Sequence, residues 1–167
     1  SNRYRIIDND LMQRAIGSKV AMEEQLQRLA KGNILEAGDV VGVHRTGYEH
    51  YGIYIGNGKV LHYAAKGSDF SGKICIHEVD FLEFIRKGRD FFYLHFDGRF
   101  PIKIYQGANQ YSGERLPFAN INKYEIFSPE ETVRRARTRI GEKEYNFVTN
   151  NCEHFALWCK TGVGEST

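Results

Sequence analysis

A cysteine stands where a loop gives way to a helix in Asn150-Asn151-Cys152-Glu153-His154-Phe155, and no other residue in this sequence has comparable chemical reach. A thiol is a weak nucleophile and a thiolate a strong one, so what surrounds the sulfur decides its chemistry. At a helix N-terminus the backbone dipole favours the anion. The unbonded N–H groups there, that of Cys152 first among them, could also receive an oxyanion. Asn150 or Asn151 is suited to cap the junction. A thiol acyl-transfer site further needs an imidazole to hold the proton and a third group to orient that imidazole.

His50 and His62 are the candidates for those two roles. Each lies in a strand-like run, and Gly56-Asn57-Gly58 joins the runs as a tight hairpin. Their positions, averaged, fall close to the turn centre, which places the rings across from each other or one step off register. They differ by an even number, so both project from one side of the hairpin. His50 is read as the base and His62 as its orienter, although spacing alone does not fix which is which. Tyr48 shares the side of His50 and either supports an oxyanion or packs. Asn151 is a second support candidate. His44, His77, His95 and His154 read as structural or solvated. His154 is two residues past the cysteine, about 200° around a helix from it. Cys75 and Cys159 read as small buried hydrophobes. No metal-ligand spacing occurs, and no cofactor is implied.

These residues need elements to hold them. Leu11, Ala15, Ile16, Val20, Leu26 and Leu29 recur at helical spacing, which predicts one or two helices over 8–31. Strands are predicted at 39–44, 51–55, 59–63 and 73–78, followed by a short helix at 79–86 and one or two strands at 90–104. Residues 106–122 read as a loop. Ser128-Pro129-Glu130-Glu131 is a helix start with the makings of a capping box. Val133, Ala136 and Ile140 would form its buried stripe, and Gly141 its end. The last helix should run from Cys152 to Lys160. Helix, antiparallel strands, then helices gives an α+β fold, an antiparallel sheet packed against helices.

The 167 residues suit one compact domain with its own core, and the division expected is an N-terminal helical extension at 1–35 and a catalytic domain at 36–167. A net charge of +2 gives no electrostatic case for nucleic acid. Three cysteines with no disulfide framework point to a reducing compartment, and the expected location is cytoplasmic. No window carries the ~18 apolar residues of a spanning helix. The basic runs at 86–89 and 134–139 are ordinarily solvated faces. Their functional reading is peripheral contact with an anionic lipid surface. The oligomeric state is left open.

Taken together, Gly38-Asp39-Val40-Val41, Tyr48-Glu49-His50-Tyr51-Gly52-Ile53-Tyr54-Ile55-Gly56, Val60-Leu61-His62 and Asn151-Cys152-Glu153-His154-Phe155 resemble the lecithin retinol acyltransferase family, which includes small phospholipase/acyltransferase proteins. Arg135-Ala136-Arg137, Ile140-Gly141 and Tyr145-Asn146 resemble that family's lead-in to its cysteine helix. The resemblance spans 36–64 and 132–162 and is weak over 65–131. It implies a circularly permuted, papain-like arrangement of the NlpC type, with histidine ahead of cysteine in the chain. It further implies Cys152 as nucleophile, His50 as base and His62 as third member. The implied reaction is attack on a phospholipid ester, an acyl-thioester intermediate, and transfer of the acyl group to water, an amine or an alcohol. Two other readings stand beside it. One is an NlpC-type cysteine peptidase or amidase. The other is a non-catalytic interaction domain that keeps the fold.

Overall fold

The computed structural model describes residues 35–66, 72–86, 90–97, 100–106, 112–115, 125–144 and 151–163. The expected helices of 8–31, Asn150, Tyr145-Asn146 and most of 106–122 lie outside the described residues.

Eight strands form one sheet among the described residues: β1 Val40–Arg45, β2 Tyr48–Gly56, β3 Lys59–Ala65, β4 Ile74–Asp80, β5 Phe91–Asp97, β6 Phe100–Gln106, β7 Ser112–Arg115 and β8 Lys143–Glu144. Their spatial order is β7-β6-β5-β1-β2-β3-β4-β8. Every pairing is antiparallel. Among the described residues there are also three helices: α1 Phe81–Ile85, α2 Pro129–Thr138 and α3 Asn151–Thr161. The class is α+β, as the order of sequence patterns predicts.

The central strands are buried on both faces, which is why Val40–Val43 and Tyr51–Tyr54 are apolar without a break. Strand alternation sorts these residues into two clusters. Val41, Val43, Tyr54, Val60 and Phe84 belong to one, on the side of α1. Val40, Tyr51, Ile53, Leu61 and Phe92 belong to the other, together with Ala136 of α2 and Cys152, Phe155 and Cys159 of α3.

The β2–β3 turn forms as its residues dictate. Asn57 and its two flanking glycines all take positive φ, at 93°, 53° and 74° in chain order. The register brings Gly52 opposite His62, with a bulge between Tyr54 and Gly56. His50 therefore sits two residues along from the position facing His62, a diagonal neighbour on the same side. That is one step more than the turn-centred estimate allows, and diagonal neighbours remain within reach of long side chains.

Gly52 is what lets this side close. A Cβ there would lie 2.6 Å from Val60 Cγ1, 3.0 Å from the Leu61 carbonyl and 3.1 Å from Phe84 Cε1. Gly52→Ala is expected to cost about 1–3 kcal/mol through overpacking. It should appear as a lower urea midpoint at unchanged m-value.

Some expectations are corrected. β7 lies inside the stretch read as loop, and β8 carried no sequence signal because two residues show no periodicity. Ser128 does cap α2, accepting from Glu131 N–H at 3.1 Å. The Glu131 carboxylate, however, takes bonds from Arg134 rather than closing the box. The buried stripe of α2 is Thr132 and Ala136. Ile140 is 49% exposed, because the helix stops at Thr138 and the chain turns away before Gly141.

Candidate active site

β2 and β3 bring His50 and His62 together. Nε2 of His50 lies 2.9 Å from Nδ1 of His62, with the two rings near perpendicular. Both are buried, at 2% and 6% exposure. Phe84 of α1 covers the pair, with ring centroids 5.5 Å from His50 and 5.7 Å from His62. Two polar rings buried this deeply need the hydrogen bond they share.

α3 starts at Asn151, so Asn151 is the first helical residue and the cap position falls at 150, outside the described residues. Cys152 occupies the second position of an 11-residue helix, where the backbone N–H has no intrahelical acceptor. Its sulfur is buried and approaches the backbone of β2, 3.9 Å from the Glu49 carbonyl oxygen. Alternation turns His50 toward Phe84 and Tyr51 toward α3. Tyr48 opens β2 opposite Arg45 and, by alternation, faces the side of His50.

Beside the thiol lies a polar cluster that sequence reading did not pick out. The Glu49 carboxylate accepts from Tyr51 O–H at 2.7 Å and from Lys103 Nζ at 2.5 Å. Burial, then the bond to Glu49, pushes the Tyr51 hydroxyl well above its ordinary value. Burial is also the main reason the Glu153 carboxyl titrates high, with His154 and Lys103 pulling the other way. Only the pairing of β1 with both β2 and β5, and of β5 with β6, brings positions 49 and 103 together, and no local motif signals it.

Cys159 is the contrasting thiol. Burial pushes it up to about 12. At neutral pH it should resist iodoacetamide in the native protein and react only after denaturation, as peptide mapping would show.

His77, taken from the sequence as structural or solvated, joins the histidine pair. It faces His62 across β3 and β4, with the two Nε2 atoms 3.4 Å apart. The β3–β4 connection lacks the turn signal that fixes the β2–β3 register, so this meeting was not legible. A cleft of about 310 Å³ opens at this end of the row, lined by Lys59, Lys66, His77, Glu78, Val79, Asp80 and Glu83. It lies at the His77 end of the row and Cys152 is not among its lining residues.

The basic row of α2 is largely engaged within the chain. Arg134 pairs with Glu131 and Arg139 with Glu142. Arg135 donates to the Trp158 carbonyl and lies 4.4 Å from the Phe127 ring centre and 3.9 Å from that of Trp158. The row therefore helps to seat α3 on α2. Among the described residues, no helix is long and apolar enough to cross a membrane.

An antiparallel α+β domain with a helix-borne thiol beside a histidine-bearing hairpin defines the class. The sequence profile of one family, described as lecithin retinol acyltransferase, matches residues 33–165, and the chain belongs to that family. It is 30% identical to lecithin retinol acyltransferase of Mus musculus over 146 residues, which cover 75% of this chain and 54% of that protein. It is 26% identical to phospholipase A and acyltransferase 2 of Homo sapiens over 133 residues, covering 77% and 72%. Phospholipase A and acyltransferase 1 of Homo sapiens is 28% identical over 140 residues, covering 77% and 69%. The chain spans about half the length of the lecithin retinol acyltransferases it matches.

Proposed function

We propose that this chain is a thiol-dependent acyltransferase and hydrolase acting on the acyl esters of phospholipids. Cys152 is the nucleophile, His50 its base and His62 the group that holds His50. The observation that carries the reading is the buried 2.9 Å His50–His62 pair on the strand that α3 meets through Cys152, in a chain of this family. The relatives named for acyltransferase and phospholipase activity support the substrate class.

In the first half-reaction His50 takes the thiol proton and the thiolate adds to the ester carbonyl. The oxyanion that forms is received by N–H groups at the start of α3, with Asn151 and Tyr48 as supporting candidates. Collapse of the adduct breaks the carbonyl–alkoxide bond, and His50 returns its proton to the departing lysolipid oxygen. An acyl thioester remains on Cys152. In the second half-reaction His50 deprotonates water, an alcohol or an amine, which attacks the thioester and releases the thiolate. No step requires a metal or cofactor. The order of histidine strands before cysteine helix is the reason to read the arrangement as a permuted papain-like one. Contact with the bilayer is peripheral in this reading, and the reaction proceeds at a lipid surface in the cytoplasm.

Proton transfer requires contact between Sγ and the His50 ring. The rate of Cys152 alkylation against pH reads that contact. The expected midpoint lies well below the ordinary value of about 8.5 and rises toward it in His50→Ala. An ordinary midpoint, unchanged in His50→Ala, would favour an interaction domain. A low midpoint with cleavage of amides but not lipid esters would favour a peptidase or amidase.

A further inference from the structure

We propose that Lys103 is a positioning residue for Cys152, holding and cancelling the Glu49 carboxylate that β2 carries beside the thiol. Glu49 is engaged through both its main chain and its side chain. Its backbone carbonyl oxygen lies 3.9 Å from Cys152 Sγ. Its carboxylate accepts from Tyr51 O–H at 2.7 Å and from Lys103 Nζ at 2.5 Å. Tyr51 and Cys152 belong to one buried cluster.

A carboxylate in this place works against a nucleophilic sulfur. A negative charge nearby disfavours the thiolate, and a positive charge favours it. Two groups on this side feel the pair. Burial raises the Tyr51 hydroxyl most, then its bond to Glu49, then the charges of Glu49, Glu153 and Cys152. Glu153 follows Cys152 in α3. Burial raises its carboxyl most; His154 opposes that, Glu49 adds to it and Lys103 opposes it. The two members of one ion pair thus reach the first turn of α3 with opposite signs.

His44 of β1 also approaches the carboxylate, with Nδ1 3.5 Å from it. Its side chain is 52% exposed and that of Lys103 only 5%, so water screens the imidazole far more than the ammonium. Lys103 and Cys152 make further contacts. A charge acts through space whatever else its bearer touches. Cys152 as the acylated residue rests on the reading proposed above, whereas the effect of the pair on its thiol does not.

The test is the rate of iodoacetamide alkylation against pH in a protein carrying Cys75→Ala and Cys159→Ala, which leaves Cys152 as the single thiol. His50, Glu153 and His154 are common to every variant. Lys103→Met leaves the carboxylate uncancelled and should raise the midpoint by about one pH unit. Its acyl-enzyme formation should slow severalfold at neutral pH and recover as the pH is raised. Glu49→Gln keeps an acceptor for Tyr51 but removes the negative charge, and should lower the midpoint. The Glu49→Gln/Lys103→Met double variant removes both charges and should return to the wild-type midpoint. Lys103→Arg keeps the charge and should stay with the wild type. A pair that only packed the fold would move both single variants the same way and the double variant no less. Single variants shifting in one direction, or a Lys103→Met midpoint equal to that of the wild type, would overturn the inference. Should Lys103→Met not fold, Glu49→Gln carries the test alone, and a midpoint unchanged or raised there overturns it equally. Failure of the acyl-transfer reading would show instead as an ordinary wild-type midpoint and no lipid adduct, with the opposite shifts still present.

Discussion

Cys152→Ala is expected to abolish ester cleavage, with a loss of about 10⁴-fold or more in turnover. Loss of the nucleophile removes the covalent path altogether, and what remains is whatever catalysis the oxyanion donors supply unaided. The substitution should leave the fold standing. Cys152 is 6% exposed and belongs to the buried cluster of Tyr51, Phe155 and Ala156, so replacing its sulfur with hydrogen opens a cavity of about one atom. That costs on the order of 1 kcal/mol. The comparison that matters is with Cys159→Ala, which removes a still more deeply buried thiol of the same helix. Its activity should stay within about twofold of wild type, because a thiol held up to about 12 supplies no thiolate at neutral pH. Equal loss in both variants would mean that helix packing, not thiol chemistry, is being read.

The second large effect is expected at Glu49. Its carboxylate meets Lys103, whose side chain is 5% exposed and whose ammonium lies 5.2 Å from the Phe92 ring centre. Glu49→Leu leaves that ammonium buried without this counter-charge, and should cost about 3 kcal/mol in chemical denaturation. The figure sits at the low end for a broken buried pair because Glu49 is itself 24% exposed, and water screens part of the attraction. Adding Lys103→Met should restore most of the loss, since the second substitution removes the buried ammonium that has lost its Glu49 counter-charge. The cost of the double variant less the summed costs of Glu49→Leu and Lys103→Met alone is the coupling of the pair. Additive costs would show that the two side chains do not depend on each other. A cost below about 0.5 kcal/mol for Glu49→Leu would place the pair among ordinary surface contacts.

How much of this was legible in the sequence depends on how local each signal is. The β2–β3 hairpin was readable because Gly-Asn-Gly demands positive φ and apolar runs flank it. The start of α2 was readable because Ser128 and Pro129 each serve a terminal position. The parity of His50 and His62 followed from strand geometry alone. The facing of elements was not readable. Tyr51 and His50 are neighbours in the chain and belong to opposite sides of the sheet. Nothing in Asn151–Phe155 says which side α3 will cover. The same limit hid His77, whose partner is fixed by pairing across a connection without a turn signature, and Lys103, which reaches Glu49 only once four strands have assembled. The stripe of α2 failed for a different reason. Ile140 continues the helical spacing, but the helix ends two residues before it.

The central claim is that Cys152 becomes acylated by a lipid ester. Intact mass measured after brief incubation with a short-chain phosphatidylcholine, followed by peptide mapping, tests it directly. The account predicts one added acyl mass, located on the peptide bearing Cys152, labile to hydroxylamine and missing from Cys152→Ala. An adduct on another residue, or fatty-acid release that continues undiminished in Cys152→Ala, would contradict it.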